Sequence, residues 1–258
     1  MLHILYLVHD LSDPAVRRRV MMLAAGGARV TLAGFRRTDK VVSEVAGLKP
    51  IDLGVTADGR FVQRIAAISA AAARLGAKLK GLAAPDVIIG RNLEMLALAN
   101  RARSLFGGTS PIVYESLDIH RLLLREDFLG QGLRRAERAL SRNADLLLTS
   151  SPAFLREYFA ARGQFAAPTM LLENKVLELG DAESDDVAPA LALQQPTRIG
   201  WFGALRCRRS LELLGAFTQK MEGRFEVILR GRPALSEFAD FHADVAAQPY
   251  VRFEGAYR

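Results

Sequence analysis

The stretch MLHILYLVHDLSDPAVRRRVMMLAAGG, residues 1–27, decides the fold class. Its apolar run at residues 2–8 predicts a buried strand. The pair Asp13-Pro14 is a capping residue followed by proline at the first helical position, and it predicts a helix over residues 14–26 that stops at Gly26-Gly27. A buried strand, a loop and a capped helix in this order form the opening unit of a parallel sheet covered by helices.

The same alternation continues outward from this stretch. Short apolar runs predict further strands at residues 29–34, 85–89, 112–115, 146–149 and 170–173. Longer patterns between them predict helices at residues 60–82, 93–106, 121–142 and 152–161. The sequence therefore predicts an α/β fold, with a Rossmann-like parallel sheet and helices on both of its faces.

The character of the sequence changes near residue 180. An acidic run and a proline-punctuated polar stretch predict an interdomain linker at residues 181–196. The alternation then restarts, with strands predicted at residues 198–202, 225–229 and 250–254 and helices at 210–221 and 235–247. We expect an N-terminal Rossmann-like domain at residues 1–180 and the start of a second one at residues 197–258. Three strands and two helices make a small sheet with a bare edge and too little to cover its faces. The preferred interpretation is therefore a fragment of a longer protein, and the alternative is completion by another subunit.

Composition limits the class of protein. Half of the 258 residues are apolar, 24% are charged and the net charge is +7, which indicates a globular chain that favours anionic partners. The single cysteine, Cys207, excludes an internal disulfide and fits a reducing cytoplasm. The first apolar run is too short for a signal peptide, and no run spans a bilayer. We expect a cytoplasmic protein.

Polar residues follow the predicted strands of the first domain, where doubly wound sheets bind their ligands. Asp10 follows the first strand, and Arg91, Asn92 and Glu94 follow the strand at 85–89. These four residues are candidates for a ligand-binding cleft.

Asp118 and His120 follow the next strand, and an acid and an imidazole two residues apart could contact a sugar or relay a proton. The alternative is that Asp118 merely caps the helix predicted from residue 121. The run Arg17-Arg18-Arg19 is interpreted as a solvated helix face, with anion binding as the alternative.

Two motifs of nucleotide chemistry are missing from the sequence. There is no G-x-G-x-x-G, and there is no G-x-x-x-x-G-K-[ST], so a dinucleotide cofactor and P-loop hydrolysis are both disfavoured. The sequence also contains no D-x-D motif, which would indicate a metal site. We expect neither a cofactor nor a metal.

The helix predicted at residues 121–142 has a basic amphipathic pattern. Leu129, Leu133, Ala136 and Leu140 recur at helical spacing as a predicted core face, and arginines lie on the other faces. Such a helix could rest on an anionic membrane surface; the alternative is an ordinary solvated face.

The second domain opens with IGWFGALRCRRS, residues 199–210. A glycine after a strand lets a ligand approach the backbone closely, and arginines at the start of a helix supply forked donors for a diphosphate. Gly203, Arg206 and Arg209 are therefore candidates for an anion site. A solvent-exposed arginine cluster is the alternative.

Together these segments resemble the GT-B glycosyltransferases, in particular the family 4 type of bacterial exopolysaccharide assembly. The resemblance is carried, in order, by residues 13–18 with 27–31, 114–120, 144–151, 172–176 and 200–209. Where the family usually has Gly-Arg-Leu and then Lys-Gly, this chain has Ala204 for the arginine and Arg209-Ser210 for Lys-Gly. The family's pair of glutamates eight residues apart has no counterpart after residue 196 and would lie beyond Arg258.

The resemblance implies transfer of a sugar from a nucleotide-diphosphate sugar to a glycan or lipid-linked acceptor in polysaccharide biosynthesis. It implies Arg206 and Arg209 at the diphosphate, and retention of anomeric configuration. It places Asp118, His120 and Arg91, together with Asp10, Asn92 and Glu94, on the acceptor side. Two alternatives are a non-catalytic partner subunit and a nucleotide-sugar epimerase. Nucleic acid is not an expected partner, because the arginines are scattered and aromatic residues are not interleaved with them.

Overall fold

The computed structural model describes residues 1–56, 61–173, 196–234 and 237–256. The chain divides into two compact units, Met1–Asp181 and Ala182–Arg258. Two sequence-based predictions fall on residues that are not described: the linker at 181–196, of which only residue 196 is described, and residues 174–176 of the resembling segment at 172–176.

Unit 1 contains a seven-stranded sheet in which every pairing is parallel, with the order β3-β2-β1-β4-β5-β6-β7. Its strands are β1 His3–Val8, β2 Arg29–Arg36, β3 Ile51–Val55, β4 Val87–Arg91, β5 Ile112–Ser116, β6 Leu146–Thr149 and β7 Thr169–Leu171. The predicted α/β fold class is confirmed.

Four α-helices accompany this sheet: α1 Pro14–Ala25, α2 Phe61–Lys78, α3 Asn92–Leu105 and α4 Phe128–Ser141. The start of α1 is as predicted, because the side chain of Asp13 accepts a hydrogen bond from the amide of Ala15 and proline follows it. Its end is also as predicted: Gly27 has a φ of +81°, and the chain reverses there.

Apolar side chains cover both faces of the sheet. One cluster, which includes Leu7, Phe35 and Leu147, packs with residues of α2 and α3 such as Leu75 and Leu96. The opposite face packs against α1, with a cluster of Ile4, Tyr6, Val8, Leu11, Val16, Val20, Val30, Leu32, Val45 and Ile89. Helices therefore lie on both faces, as the alternation of elements predicts.

Strand β3 is missing from the sequence-based prediction. Its sequence, IDLGV, contains an aspartate and a glycine, and only Leu53 is buried. A short strand that is buried at one position gives little hydrophobic signal, and β3 lies at the edge of the sheet, where such a sequence is tolerated.

The single helix predicted over residues 121–142 is wrong. A 3-10 helix at Arg121–Leu124 is followed by a break, and α4 begins at Phe128 after its cap Asp127. The Asp127 side chain accepts from the amide of Gly130. Arg134 donates to the carbonyl of Leu123 in the 3-10 helix and to the carbonyl of Arg125 in the break. A cap and a buried guanidinium thus stabilise the interruption.

The core face predicted for α4 is also wrong in part. The buried residues of α4 are Gly130, Arg134, Glu137 and Ser141, whereas Leu129 is 42% exposed and Ala136 is exposed. Glu137 accepts hydrogen bonds from three donors: the hydroxyl of Tyr114 at 2.8 Å, the hydroxyl of Tyr158 at 2.5 Å and Nε2 of Gln164 at 2.8 Å. These hydrogen bonds explain how a carboxyl group is accommodated in the core.

The segment predicted as a helix at 152–161 forms a π-helix at Phe154–Ala160. The amide of Ala153 donates to the hydroxyl of Ser151 at 3.2 Å, so the capping serine has its predicted place. The π-helix places Tyr158 and Phe159 side by side in the core, with ring centroids 5.1 Å apart.

Unit 2 contains a three-stranded parallel sheet with the order β10-β9-β8. Its elements are β8 Thr197–Leu205, α5 Arg208–Lys220, β9 Phe225–Pro233, α6 Phe241–Ala246 and β10 Val251–Phe253. Among the described residues, helix α6 is much shorter than the predicted 235–247, because Asp240 caps it by accepting from the amide of Ala243.

The two faces of the unit 2 sheet differ. Burial alternates along β8: Ile199 and the sole tryptophan, Trp201, pack against the apolar cluster formed with α5 and α6, while Arg198 and Phe202 point away. The ring of Phe202, 60% exposed, lies over Gly200, where a Cβ would be only 2.2 Å from its Cε2 atom. One face is therefore packed, and among the described residues β8 leaves its other face open.

Candidate functional sites at the carboxyl ends of the strands

The loop after β1 is held by the carboxylate of Asp10. Its Oδ1 accepts from the amide of Ser12 at 2.9 Å and from the hydroxyl of Ser12 at 2.6 Å. Its Oδ2 lies 3.6 Å from Nε of Arg37, which comes after β2. Asp10 thus shapes the loop and joins it to the neighbouring strand end, besides being a candidate for ligand contact.

Arg91 lies at the end of β4 and is only 2% exposed. Its Nη1 donates to the hydroxyl of Tyr6 at 2.9 Å, and its Nη2 donates to Oδ2 of Asp13 at 3.3 Å. The Tyr6 hydroxyl in turn donates to Oε2 of Glu115 at 2.5 Å, and Nε of Arg19 donates to Oε1 of the same carboxylate at 2.7 Å. We call these five residues the buried polar chain; it joins three strands to the start of α1.

Two members of the buried polar chain, Tyr6 and Arg91, have raised pKa values. Burial first, and then the Glu115 carboxylate, raise the pKa of Tyr6 well above its ordinary value, so the phenol keeps its proton. Burial acts to lower the pKa of Arg91, but Tyr6 and Glu115 outweigh it and the pKa is raised. Arg91 therefore remains a cation inside the protein.

Arg19 belongs to this chain and not to a solvated helix face. It is 8% exposed, whereas Arg17 is exposed. The sequence-based interpretation of the Arg17-Arg18-Arg19 run is wrong for Arg19, because the carboxylate of Glu115 lies on the sheet face that α1 covers.

Asn92 begins α3 with a φ of +69°, in the left-handed region that residues other than glycine rarely adopt. Its Nδ2 lies 3.3 Å from Nδ1 of His9, and an amide nitrogen can only donate, so Nδ1 is the acceptor. Burial, and then Arg37 and Arg91, lower the pKa of His9, which favours the neutral ring. Glu94 and His9 line the same narrow pocket.

Asp118 and His120 come directly after β5, and both are exposed. The amide of Leu122 donates to Nδ1 of His120 at 3.3 Å, which makes His120 the cap of the 3-10 helix. The capping role considered for Asp118 thus belongs to His120. Because Nδ1 accepts, the neutral ring carries its proton on Nε2, directed away from the backbone.

Three glycines lie in a row at the carboxyl edge of the unit 2 sheet. Gly203 of β8 pairs with Gly231 of β9, and the Gly231 amide donates to the carbonyl of Gly255, after β10, at 2.9 Å. All three have positive φ, at +114°, +150° and +80°. A Cβ on Gly231 would lie 1.7 Å from the Gly203 carbonyl oxygen, so no side chain fits there.

The arginines after β8 are exposed. Within the described part of the chain, Arg206 and Arg209 have no ion pair, whereas Arg208 lies 3.0 Å from Glu212. Cys207 caps α5, because its Sγ accepts from the hydroxyl of Ser210 at 3.0 Å and from the amide of Ser210 at 3.4 Å. These two hydrogen bonds lower the pKa of the thiol. Free guanidinium groups at the start of a helix suit an anion.

The structure thus separates the candidate residues by environment. Asp118 and His120 reach solvent, as do Arg206 and Arg209, and Gly203 opens onto free space because a Cβ there would meet no atom within 4 Å. Arg91 is enclosed. The sequence-based analysis missed the roles of Tyr6, Arg19 and Glu115, and the one signal available was the carboxylate of Glu115 at the end of an apolar strand. It also missed Gly231 and Gly255, which each follow a predicted strand.

Among the described residues, no group of three or more His, Cys, Asp or Glu side chains is placed to hold a metal ion. None of the helices described is both long enough and apolar enough to cross a membrane.

The fold is shared with solved glycosyltransferases. The chain aligns over 99% of its length with 68% of the lipopolysaccharide outer core galactosyltransferase WaaB (TM-score 0.63, 17% identity). It aligns over 100% of its length with 70% of Anabaena HepE, solved in complex with UDP and glucose (TM-score 0.65, 16% identity). The same full coverage is found against 71% of the sucrose-phosphate synthase of Thermosynechococcus elongatus (TM-score 0.70, 15% identity).

These likenesses and the parallel sheets define the class: the chain has the GT-B glycosyltransferase fold. No model of a known protein family matches it. Within the class it is a homologue of the succinoglycan biosynthesis protein ExoL of Rhizobium meliloti (strain 1021), with 60% identity over 261 aligned positions. The alignment covers 100% of this chain and 65% of that relative's length. The expected resemblance to a protein of bacterial exopolysaccharide biosynthesis is confirmed.

Proposed function

We propose that this protein acts in a glycosyltransferase reaction, moving a sugar from a nucleotide-diphosphate sugar to a glycan or lipid-linked acceptor in polysaccharide biosynthesis. The observation that carries the proposal is the row of glycines at the edge of the unit 2 sheet, followed by Arg206 and Arg209, which are exposed and have no ion pair among the residues that the structure describes. The relative at 60% identity takes its name from succinoglycan biosynthesis, and HepE was solved with UDP and glucose, which supports the same direction.

The donor diphosphate is assigned to Gly203, Arg206 and Arg209. A backbone without side chains lets phosphate oxygens approach the strand ends, and two guanidinium groups supply forked, charged donors. When the bond between the sugar and the diphosphate breaks, negative charge develops on the departing nucleoside diphosphate. Cations fixed at that position stabilise the charge, and in this proposal they do so without a metal.

The acceptor side is assigned to unit 1, with Asp10, Arg91, Asn92 and Glu94 around the cleft and Asp118 and His120 at the reacting hydroxyl. The acceptor hydroxyl must lose a proton as its oxygen bonds to the anomeric carbon. Asp118 is the group suited to accept that proton, because neutral His120 carries its own proton on Nε2 and would donate instead. Arg91 acts by holding Asp13 and Tyr6 in place. Retention of anomeric configuration is part of the proposal.

Domain bounds follow the same assignment. We take residues 1–180 as the acceptor-side domain, 181–196 as the linker and 197–258 as part of the donor-binding domain. The division of the chain into two compact units, with its boundary in the sequence between residues 181 and 182, supports these bounds.

We further propose a cytoplasmic location with contact to the inner face of the membrane. Three large apolar side chains around the break before α4 are exposed: Leu124 by 50%, Phe128 by 92% and Leu129 by 42%. Arg121 and Arg135 are exposed on the same two elements. Apolar side chains next to cations suit a surface of anionic lipids. Vesicles of phosphatidylglycerol should therefore retain the wild-type chain and release the Phe128→Ser variant, while phosphatidylcholine vesicles retain neither.

The donor assignment is tested by calorimetry with UDP, GDP and ADP and their sugars. At least one nucleotide should bind, and Arg206→Ala with Arg209→Ala should weaken its binding at least tenfold. Arg224→Ala with Lys220→Ala, which removes the same charge elsewhere in unit 2, should leave the affinity within twofold. Equal affinity in the wild type and the Arg206/Arg209 variant would refute the assignment.

Product analysis separates the remaining alternatives. Transfer of labelled sugar to an extracted lipid or glycan acceptor supports the proposal. Conversion of the nucleotide sugar without any acceptor indicates an epimerase. Binding without turnover, together with a mass in solution that increases on adding a second chain, indicates a partner subunit.

A further inference from the structure

A basic pocket lies in unit 1, apart from the candidate residues described above. Its volume is about 230 Å³, and it opens beside the edge strand β3. Arg36, Asp52 and Gly54 from the strands line one side, and Arg74 and Lys78 of α2 line the other. The wall therefore carries three cations and one carboxylate.

The carboxylate in this wall is already engaged. Oδ1 of Asp52 accepts from the amide of Gly54 at 2.8 Å, and its Oδ2 lies 2.8 Å from Nε of Arg36. Nη1 of Arg36 also donates to the carbonyl of Asp39 at 2.6 Å, so that guanidinium is fixed in position. Each oxygen of Asp52 thus has a partner, and its single negative charge balances only the charge of Arg36, so the two cations of α2 are not neutralised by the pocket wall.

Arg74 and Lys78 are one helical turn apart and exposed, and within the described residues neither has an acidic partner. Helix α2 contains no aspartate or glutamate, and residues 59–85 hold five basic residues and no acidic one. Like charges four residues apart on a helix repel each other. Lys78 in the last turn compensates the helix dipole, but the dipole does not explain a cavity with Arg36 in its opposite wall.

We propose that this pocket binds a small anion that carries a phosphate group. The site is separate in residues and in compact unit from the donor site assigned to Gly203, Arg206 and Arg209. Arg36 supplies a fixed guanidinium, and Arg74 and Lys78 supply mobile cations that close on the bound oxygens, which is the combination that phosphate groups use in proteins. The surplus of positive charge attracts the anion from solution.

The experiment uses the chain with Arg206→Ala and Arg209→Ala as its parent, so that the donor site does not contribute. Inorganic phosphate and pyrophosphate are titrated into this parent by calorimetry at fixed ionic strength. Adding Arg74→Ser and Lys78→Ser should weaken the binding of pyrophosphate at least tenfold. The conservative exchange Arg74→Lys with Lys78→Arg should keep the affinity within about threefold.

The control removes the same charge at two exposed positions that do not line the pocket, Arg101→Ser with Lys220→Ser, and should leave the affinity within twofold. Equal losses in the control and the pocket variant would mean that only net charge matters, and would overturn the proposal. Absence of phosphate and pyrophosphate binding in the parent would overturn it as well. Neither outcome bears on nucleotide binding by the unsubstituted chain, which tests the proposed function separately.

Discussion

Arg91 and Arg206 each stand where a parallel strand ends, but their surroundings differ. Arg91 is 2% exposed and bonded to Tyr6 and Asp13, whereas Arg206 is exposed and, within the described residues, unpaired. At the edge of unit 1, the buried guanidinium group joins secondary-structure elements. At the edge of unit 2, the arginine has no ion pair within the described residues, and we propose that it is available to a ligand. A buried arginine after a strand thus serves as a structural tie, whereas an exposed one keeps its donors for other partners.

The largest effect is expected at the glycine row. Gly231→Ala places a methyl group 1.7 Å from a backbone oxygen of the neighbouring strand, at a φ of +150°. We expect a loss of more than about 4 kcal/mol, enough to unfold unit 2 and expose it to protease while unit 1 persists. Limited proteolysis with mass spectrometry measures this.

Gly203→Ala is the matched control, because its Cβ meets no atom within 4 Å and only the backbone conformation is strained. Its cost should be about 1–2 kcal/mol. If both variants are cleaved at the same rate, close strand approach is not what requires a glycine at position 231.

The buried polar chain should give the next largest effect. Arg91→Met leaves Asp13 and Tyr6 without their donor and should reduce the free energy of unfolding by about 3–5 kcal/mol. Arg206→Met should change it by less than about 0.5 kcal/mol, because that side chain is exposed. Urea denaturation of the two variants compares the edges directly, and similar losses would contradict the distinction between tie and contact.

A smaller effect, with a sign that can be worked out, is expected at Glu137. Burial raises its pKa above the ordinary value of 4.5 although its three hydrogen bonds oppose the shift. The native state then binds this proton more tightly than the unfolded state does. The stability from this group is therefore complete below about pH 4.5 and is lost as pH rises through the raised pKa. Glu137→Gln should remove that loss, as measured by urea denaturation between pH 4 and 7.

Glu126 provides the opposite sign for comparison. A hydrogen bond from Arg162 lowers the pKa of this exposed carboxyl group. Its contribution is present above the ordinary pKa and is lost as pH falls through the lowered one. Relative to the wild type, Glu126→Gln and Glu137→Gln should therefore change the slope of stability against pH in opposite directions. Changes of the same sign would show that burial does not decide the behaviour of Glu137.

The smallest effect is expected at the thiol. Ser210→Ala removes the hydroxyl that donates to Cys207, so the thiol pKa should rise and alkylation at neutral pH should slow roughly threefold. Ser210→Thr, which keeps a hydroxyl, is the control. Slowing of the same reaction by a bound nucleotide would show that the ligand covers the start of α5; identical rates in wild type and Ser210→Ala would contradict the hydrogen bond.

The order of elements could be predicted because continuous apolar runs and capped helices are local signals, and Asp13-Pro14 is an example. The packing of α4 could not be predicted. Its leucines have helical spacing, but three donors from other elements meet at Glu137 and draw that face into the core instead. In the same way Glu115 resembles any strand-end carboxylate until Arg19, 96 residues away in sequence, is known to reach it.

The site was predictable to a similar degree. Gly203, Arg206 and Arg209 lie within a stretch of seven residues, so the sequence indicates them together. Gly231 and Gly255 join them only through the pairing of β8, β9 and β10, which sequence spacing does not contain.

Trp201 packs into the apolar cluster of unit 2, and it is the one tryptophan among the 258 residues. Its emission is consequently an optical signal from the smaller unit alone, while far-ultraviolet circular dichroism is dominated by the helices of the larger one. Recorded on one sample during heating, the two signals would resolve two melting transitions or reveal a single shared one, with no label attached to the chain.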